Sequence, residues 1–138
     1  MEFQITDKID DNDKAKILEE LVDFNLARIE DKNPKELGIY LRNKQGNIIA
    51  GLMGETHGNW LTIEFLWVNE DLRGQSVGSQ ILEKAESIAK ERGCNFVFLD
   101  TFSFQAPAFY KKHGYQEAFI LEAYPLTGKR VFFTKILN

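Results

Sequence analysis

Apolar positions along this chain follow three different rhythms, and the changes of rhythm mark its elements. After a weak alternation over residues 3–6 that suits a short edge strand, Asp10-Asp11-Asn12-Asp13 offers N-cap residues. They precede an amphipathic helix carrying Ile17, Leu18, Leu21, Val22, Phe24, Leu26 and Ile29. Asn33-Pro34 ends that pattern, because the residue before proline is pushed out of helical geometry. Strand-like runs at residues 38–42 and 47–55 flank Asn43-Lys44-Gln45-Gly46, which suits a hairpin turn. A third antiparallel strand over residues 60–68 follows a turn at His57-Gly58-Asn59. Helical spacing returns over residues 76–92, with Val77, Ile81, Leu82, Ala85, Ile88 and Ala89 on one stripe and Gly93 as a stop. The almost wholly apolar run Asn95-Phe96-Val97-Phe98-Leu99-Asp100-Thr101 predicts a central strand covered on both faces, joined to its predecessor by a parallel crossover. A short helix over residues 105–113, with Pro107 in its first turn, and two strands over residues 115–121 and 130–137 complete the chain. The expected fold class is therefore α/β (α+β). It is one domain over residues 1–138, with a mixed, mostly antiparallel sheet of six to seven strands, a central parallel pair and three to four helices on its faces.

Composition narrows the class of function. At 138 residues, 43% apolar and 28% charged, the chain suits a continuous core without repeats or linkers. A net charge of −4 argues against nucleic-acid binding, which needs surplus Lys and Arg. It suits a cationic substrate, or simply solubility. The single cysteine, Cys94, rules out an intrachain disulfide and a zinc site built on cysteine pairs, so a reducing cytoplasm is expected. It reads as a small apolar filler opening a buried strand. No basic, apolar leader and no run near the roughly 20 apolar residues of a membrane span is visible, so no membrane association is expected. His57 and His113 lack neighbours at metal-ligand spacing and read as turn and helix-end residues; no metal is expected.

The chemistry concentrates between Leu66 and Leu82. A buried strand runs into the glycine-containing loop Arg73-Gly74-Gln75-Ser76-Val77-Gly78 and directly into a helix. The first turn of such a helix carries backbone N–H groups without intrahelical partners and the positive end of its dipole, which together bind phosphate. The same residues also fit an ordinary strand-to-helix turn with Ser76 as N-cap.

The succession of strands, loop, helix and short helix resembles the GNAT superfamily of N-acetyltransferases over nearly the whole chain. Two motifs carry the resemblance. The acyl-CoA signature [QR]-x-x-G-x-[GA] falls on Arg73-Gly74-Gln75-Ser76-Val77-Gly78, with Ser76 where the family most often has glycine. The ending F-Y-x-K-x-G-[FY] falls on Phe109-Tyr110-Lys111-Lys112-His113-Gly114-Tyr115. The resemblance implies acetyl-CoA as cosubstrate, its pyrophosphate cradled by backbone N–H groups of Arg73, Gly74, Gln75, Ser76, Val77, Gly78 and Ser79. It implies a pantetheine arm paired with the backbone of Leu66, Trp67 and Val68, where this strand splays from the next buried one. There a backbone N–H would serve as oxyanion donor.

By the same resemblance Tyr110 is the general acid near the CoA sulfur, and Ser103 and Ala106 stand at family positions that meet the pantetheine. Ser103 also suits a cap for the short helix. The less favoured reading of Tyr110 is a buried aromatic with a satisfied hydroxyl. Glu64 interrupts an apolar strand four residues before Val68. It is either a partly buried base of raised pKa or a solvent-facing residue on the open sheet face.

Acceptor selection is expected from the first helix, the segment through Lys35 and the loop over residues 122–129, where the family varies. Asp23, Glu30, Asp31, Glu36 and Glu122 would attract a cationic amine; Phe24, Trp67, Phe102, Phe104, Phe119 and Tyr124 would line an apolar wall. Solvated charges and core packing account for the same residues. The expected activity is transfer of acetyl from acetyl-CoA to a primary amine of a small molecule or protein by direct attack in a ternary complex. The alternative is a non-catalytic acyl-CoA sensor. The chain is expected as a monomer, or as a homodimer using exposed strand edges and Phe119, Phe132 and Phe133.

Overall fold

The computed structural model describes residues 1–30 and 33–138, which fall into two compact units, Met1–Lys32 and Asn33–Asn138. Asp31 lies outside the described residues.

The first unit holds α1 (Asp11–Leu26), started by the Asp10 carboxylate, which accepts from the N–H groups of Asn12 and Asp13. The helix stops three residues short of Ile29, and residues 3–6 form no strand. Its apolar stripe is exposed, Ile17 by 70% and Leu21 by 52%.

The second unit is built on β1 (Lys35–Arg42), β2 (Ile48–His57), β3 (Trp60–Val68), α2 (Val77–Glu91), β4 (Phe96–Phe102), α3 (Pro107–Lys112), β5 (Gln116–Leu121) and β6 (Arg130–Ile136). They make a six-stranded mixed sheet of order β1-β2-β3-β4-β6-β5, with β3 and β4 its parallel pair. Parallel strands need a long crossover connection, which α2 supplies. Alternation places Ala50, Leu52, Leu61, Ile63, Val97, Leu99, Val131 and Phe133 on one face of the sheet, where they pack with Ile81, Leu82, Ala85 and Ala89 of α2. The small side chains of Ala85 and Ala89 let the helix approach the strands. At the far end Arg92 donates to the carbonyls of Lys35 and Glu36 and to Thr56 Oγ1, latching α2 to the outer strands.

Two expectations change here. β4 is buried on one face only: Val97, Leu99 and Thr101 are covered, whereas Phe96, Phe98, Asp100 and Phe102 are half-buried. An apolar run reads as two-sided burial because aromatic residues also shield one another; Phe98 stacks on Phe132 at 5.9 Å and Phe96 meets Trp60 at 4.9 Å. Phe133, offered as an interface residue, is fully buried. Cys94 is buried in the turn before β4, its Sγ 3.5 Å from the Gly58 carbonyl it donates to.

One polar network ties α2 to the sheet. Glu86 accepts from the Tyr115 hydroxyl and from Lys135 Nζ, both at 2.8 Å. Burial, together with the charge and hydrogen bond of Glu86, pushes the Tyr115 phenol far above its ordinary range. Replacing Glu86 with leucine strands the ammonium and the phenol together. The expected cost is about 2 kcal/mol, read as a lower urea midpoint at unchanged m. An unchanged midpoint would mean that the network adds nothing to stability.

Candidate active site

The site begins where two strands part. β3 and β4 pair only through Trp60–Phe96, Leu61–Val97 and Thr62–Phe98. Beyond that, β3 continues beside β2 as far as Val68, and β4 continues beside β6 as far as Phe102. The facing edges of Ile63–Val68 and Leu99–Phe102 are left without a shared ladder. Such edges present backbone donors and acceptors to any extended chain laid between them.

A bulge explains why the strands part there. Gly54 pairs with Ile63 and Met53 with Phe65, so Glu64 is the extra residue of β3, and a bulge increases local twist. Gly54 permits it: a Cβ at this position would collide with the Thr62 carbonyl oxygen.

The strand then delivers the chain to the loop expected to bind phosphate. The Asn69 side chain accepts from the Asp71 N–H and starts a single 3-10 turn over Glu70–Leu72. Gly74 and Ser76 both take left-handed backbone conformations, φ 83° and 61°. Nothing crowds the outer side of Gly74. From Gln80 onward the helix ladder is made, Gln80 N donating to Ser76 O. The N–H groups of Val77, Gly78 and Ser79 precede that ladder, and the first turn of α2 holds no acidic side chain. An anion placed there would meet donors and the positive end of the dipole; the acidic residues Glu70 and Asp71 lie in the preceding 3-10 turn. Gly78 packs α2 against Phe109 of α3 and Val68 of β3, its Cβ direction 3.4 Å from Phe109 Cζ. The Ser76 hydroxyl makes no capping bond. Its residue occupies the left-handed position that favours glycine, and that backbone is not the extended N-cap conformation that aims a side chain at the helix.

α3 meets the start of α2 through Phe109 and His113, and Tyr110 lies between them in sequence. The Tyr110 ring is 7% exposed and meets Phe109 and Tyr115 edge-on at 5.2 and 5.7 Å. Burial, reinforced by the negative charge of Asp100, pushes its phenol up to about 12. Tyr110 is thus both a member of the core and a fully protonated donor at neutral pH.

The remaining expected residues scatter. Ser103 does not cap α3: its Oγ accepts from Lys129 N at 3.3 Å, and Ser103 N donates to Lys129 O. Ala106, half-buried, takes the N-cap position without a side-chain bond, and Gln105 does the local work by accepting from Phe102 N and Thr101 Oγ1. Glu64 is exposed rather than partly buried. It lines a shallow cleft with Glu55, His57, Trp60 and Thr62 on the second face of the sheet. Arg73 is exposed, Leu66 and Val68 half-buried, and Trp67 exposed.

Of the expected acceptor wall, Phe102 stacks on Phe104 and Tyr124 at 5.3 and 5.7 Å, and Phe119 is exposed at β5. Glu122 pairs with Lys129 at 3.8 Å, which reduces its pull on a cation. Glu36 is exposed on β1. In the first unit, Arg28 lies over the Phe24 ring at 3.7 Å, and Asp23 and Glu30 are exposed.

One contact escapes sequence reading. His113, at the end of α3, shares a 2.8 Å hydrogen bond with the Ser79 hydroxyl in the first turn of α2. No spacing rule joins residues 34 positions apart.

The sheet is thus split between β3 and β4, and the loop that follows β3 opens directly into the N-terminus of α2. Residues 5–115 match the acetyltransferase (GNAT) family. An acetyltransferase of Agrobacterium fabrum is 34% identical over 115 residues, 83% of this chain and 84% of that protein. Blasticidin-S acetyltransferase of Streptomyces morookaense is 37% identical over 87 residues, 62% of this chain and 64% of that one. The crystal structure of an acetyltransferase from Bacillus cereus superposes with a TM-score of 0.84 at 36% identity, covering 97% of this chain and 98% of its own. The chain belongs to the GNAT family of acetyltransferases, enzymes that use acetyl-CoA as cosubstrate. Among the described residues no group of His, Cys, Asp and Glu is placed to hold a metal ion, and no helix is long and apolar enough to cross a membrane.

Proposed function

We propose that the protein transfers the acetyl group of acetyl-CoA to a primary amine of a small cationic molecule, by direct attack within a ternary complex. The observation that carries this reading is the gap between β3 and β4 leading to the unpaired N–H groups of Val77, Gly78 and Ser79. In this reading the diphosphate lies on the loop from Arg73 to Ser79. The pantetheine pairs with the free edge of Leu66, Trp67 and Val68, passes Ser103 and Ala106, and brings its sulfur to Tyr110. A backbone N–H freed by the parting of the strands stabilises the developing oxyanion. The amine loses its proton through Glu64, which reaches the attacking nitrogen by way of water because it stands on an exposed bulge. A small acceptor is supported by the similarity to an enzyme named for blasticidin S, and a cationic one by the net charge of −4 and the two carboxylates of the Glu55–Glu64 cleft.

Calorimetric titration with acetyl-CoA, with ATP as phosphate-bearing control, tests the cosubstrate site, and a screen of amines for thiol release tests the acceptor. Micromolar binding of acetyl-CoA but not ATP, with turnover of cationic small molecules, is the expected result. Equal binding of both ligands, or turnover of protein amines alone, would overturn it.

A further inference from the structure

We propose that His113 is a positioning residue for the cosubstrate's diphosphate, acting through Ser79. The proposal rests on the reading that this diphosphate sits at the N-terminus of α2. The imidazole Nε2 lies 2.8 Å from Ser79 Oγ, and both side chains are partly buried. The ring packs on Phe109 at 4.7 Å, and the backbone N–H of His113 donates to the carbonyls of Phe109 and Tyr110, which fixes the residue at the helix end. His113 is therefore a fixed partner rather than a mobile surface side chain.

Proton counting gives this contact a direction. A serine hydroxyl has one O–H to donate and lone pairs to accept with, and an imidazole nitrogen either donates or accepts. With no anion at the helix N-terminus, either orientation satisfies the pair. With a diphosphate there, the O–H of Ser79 is worth most when aimed at the anion, because a hydrogen bond to a charged oxygen is roughly twice as strong as a neutral one. Ser79 Oγ must then accept from His113, so Nε2 must carry a proton. The result is a short relay, His113 Nε2–H to Ser79 Oγ and Ser79 O–H to phosphate, in which each bond polarises the next.

The relay also has a mechanical consequence. Ser79 belongs to the first turn of α2, and His113 closes α3 three residues after Tyr110. Cosubstrate binding at the loop thus tightens the tie between the phosphate site and the helix that carries the proposed acid.

The test uses His113→Leu, which keeps apolar packing on Phe109 but has no donor, and His113→Gln, whose amide nitrogen restores one. His113→Leu is expected to raise KM for acetyl-CoA about tenfold with kcat within about twofold, and His113→Gln to recover most of the loss. Ser79→Ala should lose as much alone as in combination with His113→Leu, since both remove one relay. With S-acetylpantetheine, which lacks the diphosphate, all variants should match the parent protein. Ring 15N shifts should report a protonated Nε2 when acetyl-CoA saturates the protein.

An unchanged KM in His113→Leu, or an equal loss with both acetyl donors, overturns the proposal; the second outcome marks a merely structural contact. Gln75→Asp, at an exposed position of the same loop, separates this failure from failure of the underlying reading. If a carboxylate in this loop abolishes acetyl-CoA binding while His113→Leu does not affect it, only the His113 role falls. If Gln75→Asp also leaves binding intact, the diphosphate lies elsewhere and both fall.

Discussion

Replacing Tyr110 with phenylalanine is expected to lower kcat about a hundredfold while acetyl-CoA affinity stays within about twofold, the loss characteristic of one acid–base group. The variant removes only the hydroxyl, so the edge-on contacts with Phe109 and Tyr115 persist and the core is retained. The position of the phenol pKa also predicts the form of the help it gives. Held up to about 12, Tyr110 is a weaker acid than a thiol near ~8.5. In the proposed mechanism it would therefore stabilise the departing sulfur by donating a hydrogen bond as the C–S bond breaks, rather than by releasing a free proton beforehand. The sign of the pH dependence follows. The folded state favours the protonated phenol, so its contribution to stability is whole below the ordinary pKa of about 10 and declines from there toward 12. No descending limb of kcat below pH ~10 should trace to this group. An unchanged kcat in Tyr110→Phe would take Tyr110 out of the mechanism. A parent protein that binds acetyl-CoA but turns over no amine would favour the sensor alternative.

Gly54→Val should be the most damaging single change outside that group. Any Cβ at this position runs into the Thr62 carbonyl oxygen, and backbone cannot yield as a flexible side chain can. Relief requires β2 and β3 to move apart where the bulge at Glu64 is set. Overpacking of this kind costs roughly 3 kcal/mol, which for a chain of this size lowers Tm by about 10 °C. Because the same bulge twists β3 away from β4, acetyl-CoA binding should weaken beyond what the fraction unfolded explains. Met53→Val, one residue away on an exposed position, is the control and should change Tm by no more than about 2 °C. A Gly54→Val protein that melts with its parent would show that the glycine is not what permits the bulge.

Much of this architecture was legible before folding because the signals are local. Pro34 and the Gly46 turn bracket β1, Gly93 follows the end of α2, and Pro107 starts α3, all within a few residues of where periodicity places them. The loop from Arg73 to Ser79 was legible for the same reason: left-handed geometry at Gly74 and a helix that starts directly afterwards need only neighbours in sequence. Ser76 shows the limit of local reading. Its identity suggested a cap, while the backbone path imposed on the loop placed it in a glycine-like conformation where the hydroxyl caps nothing.

What the sequence by itself determined was the order and kind of the elements, the loop that opens α2, and the aromatic setting of Tyr110, since periodicity, turn residues and short motifs act over a few residues. Only the tertiary structure decided that β3 and β4 part after Thr62 and Phe98, that Glu64 stands exposed on a bulge, that Ser103 serves Lys129, and that His113 meets Ser79. Those outcomes depend on register between strands and on groups 26 to 34 residues apart, distances over which the chain has no periodicity and contact is set by packing alone.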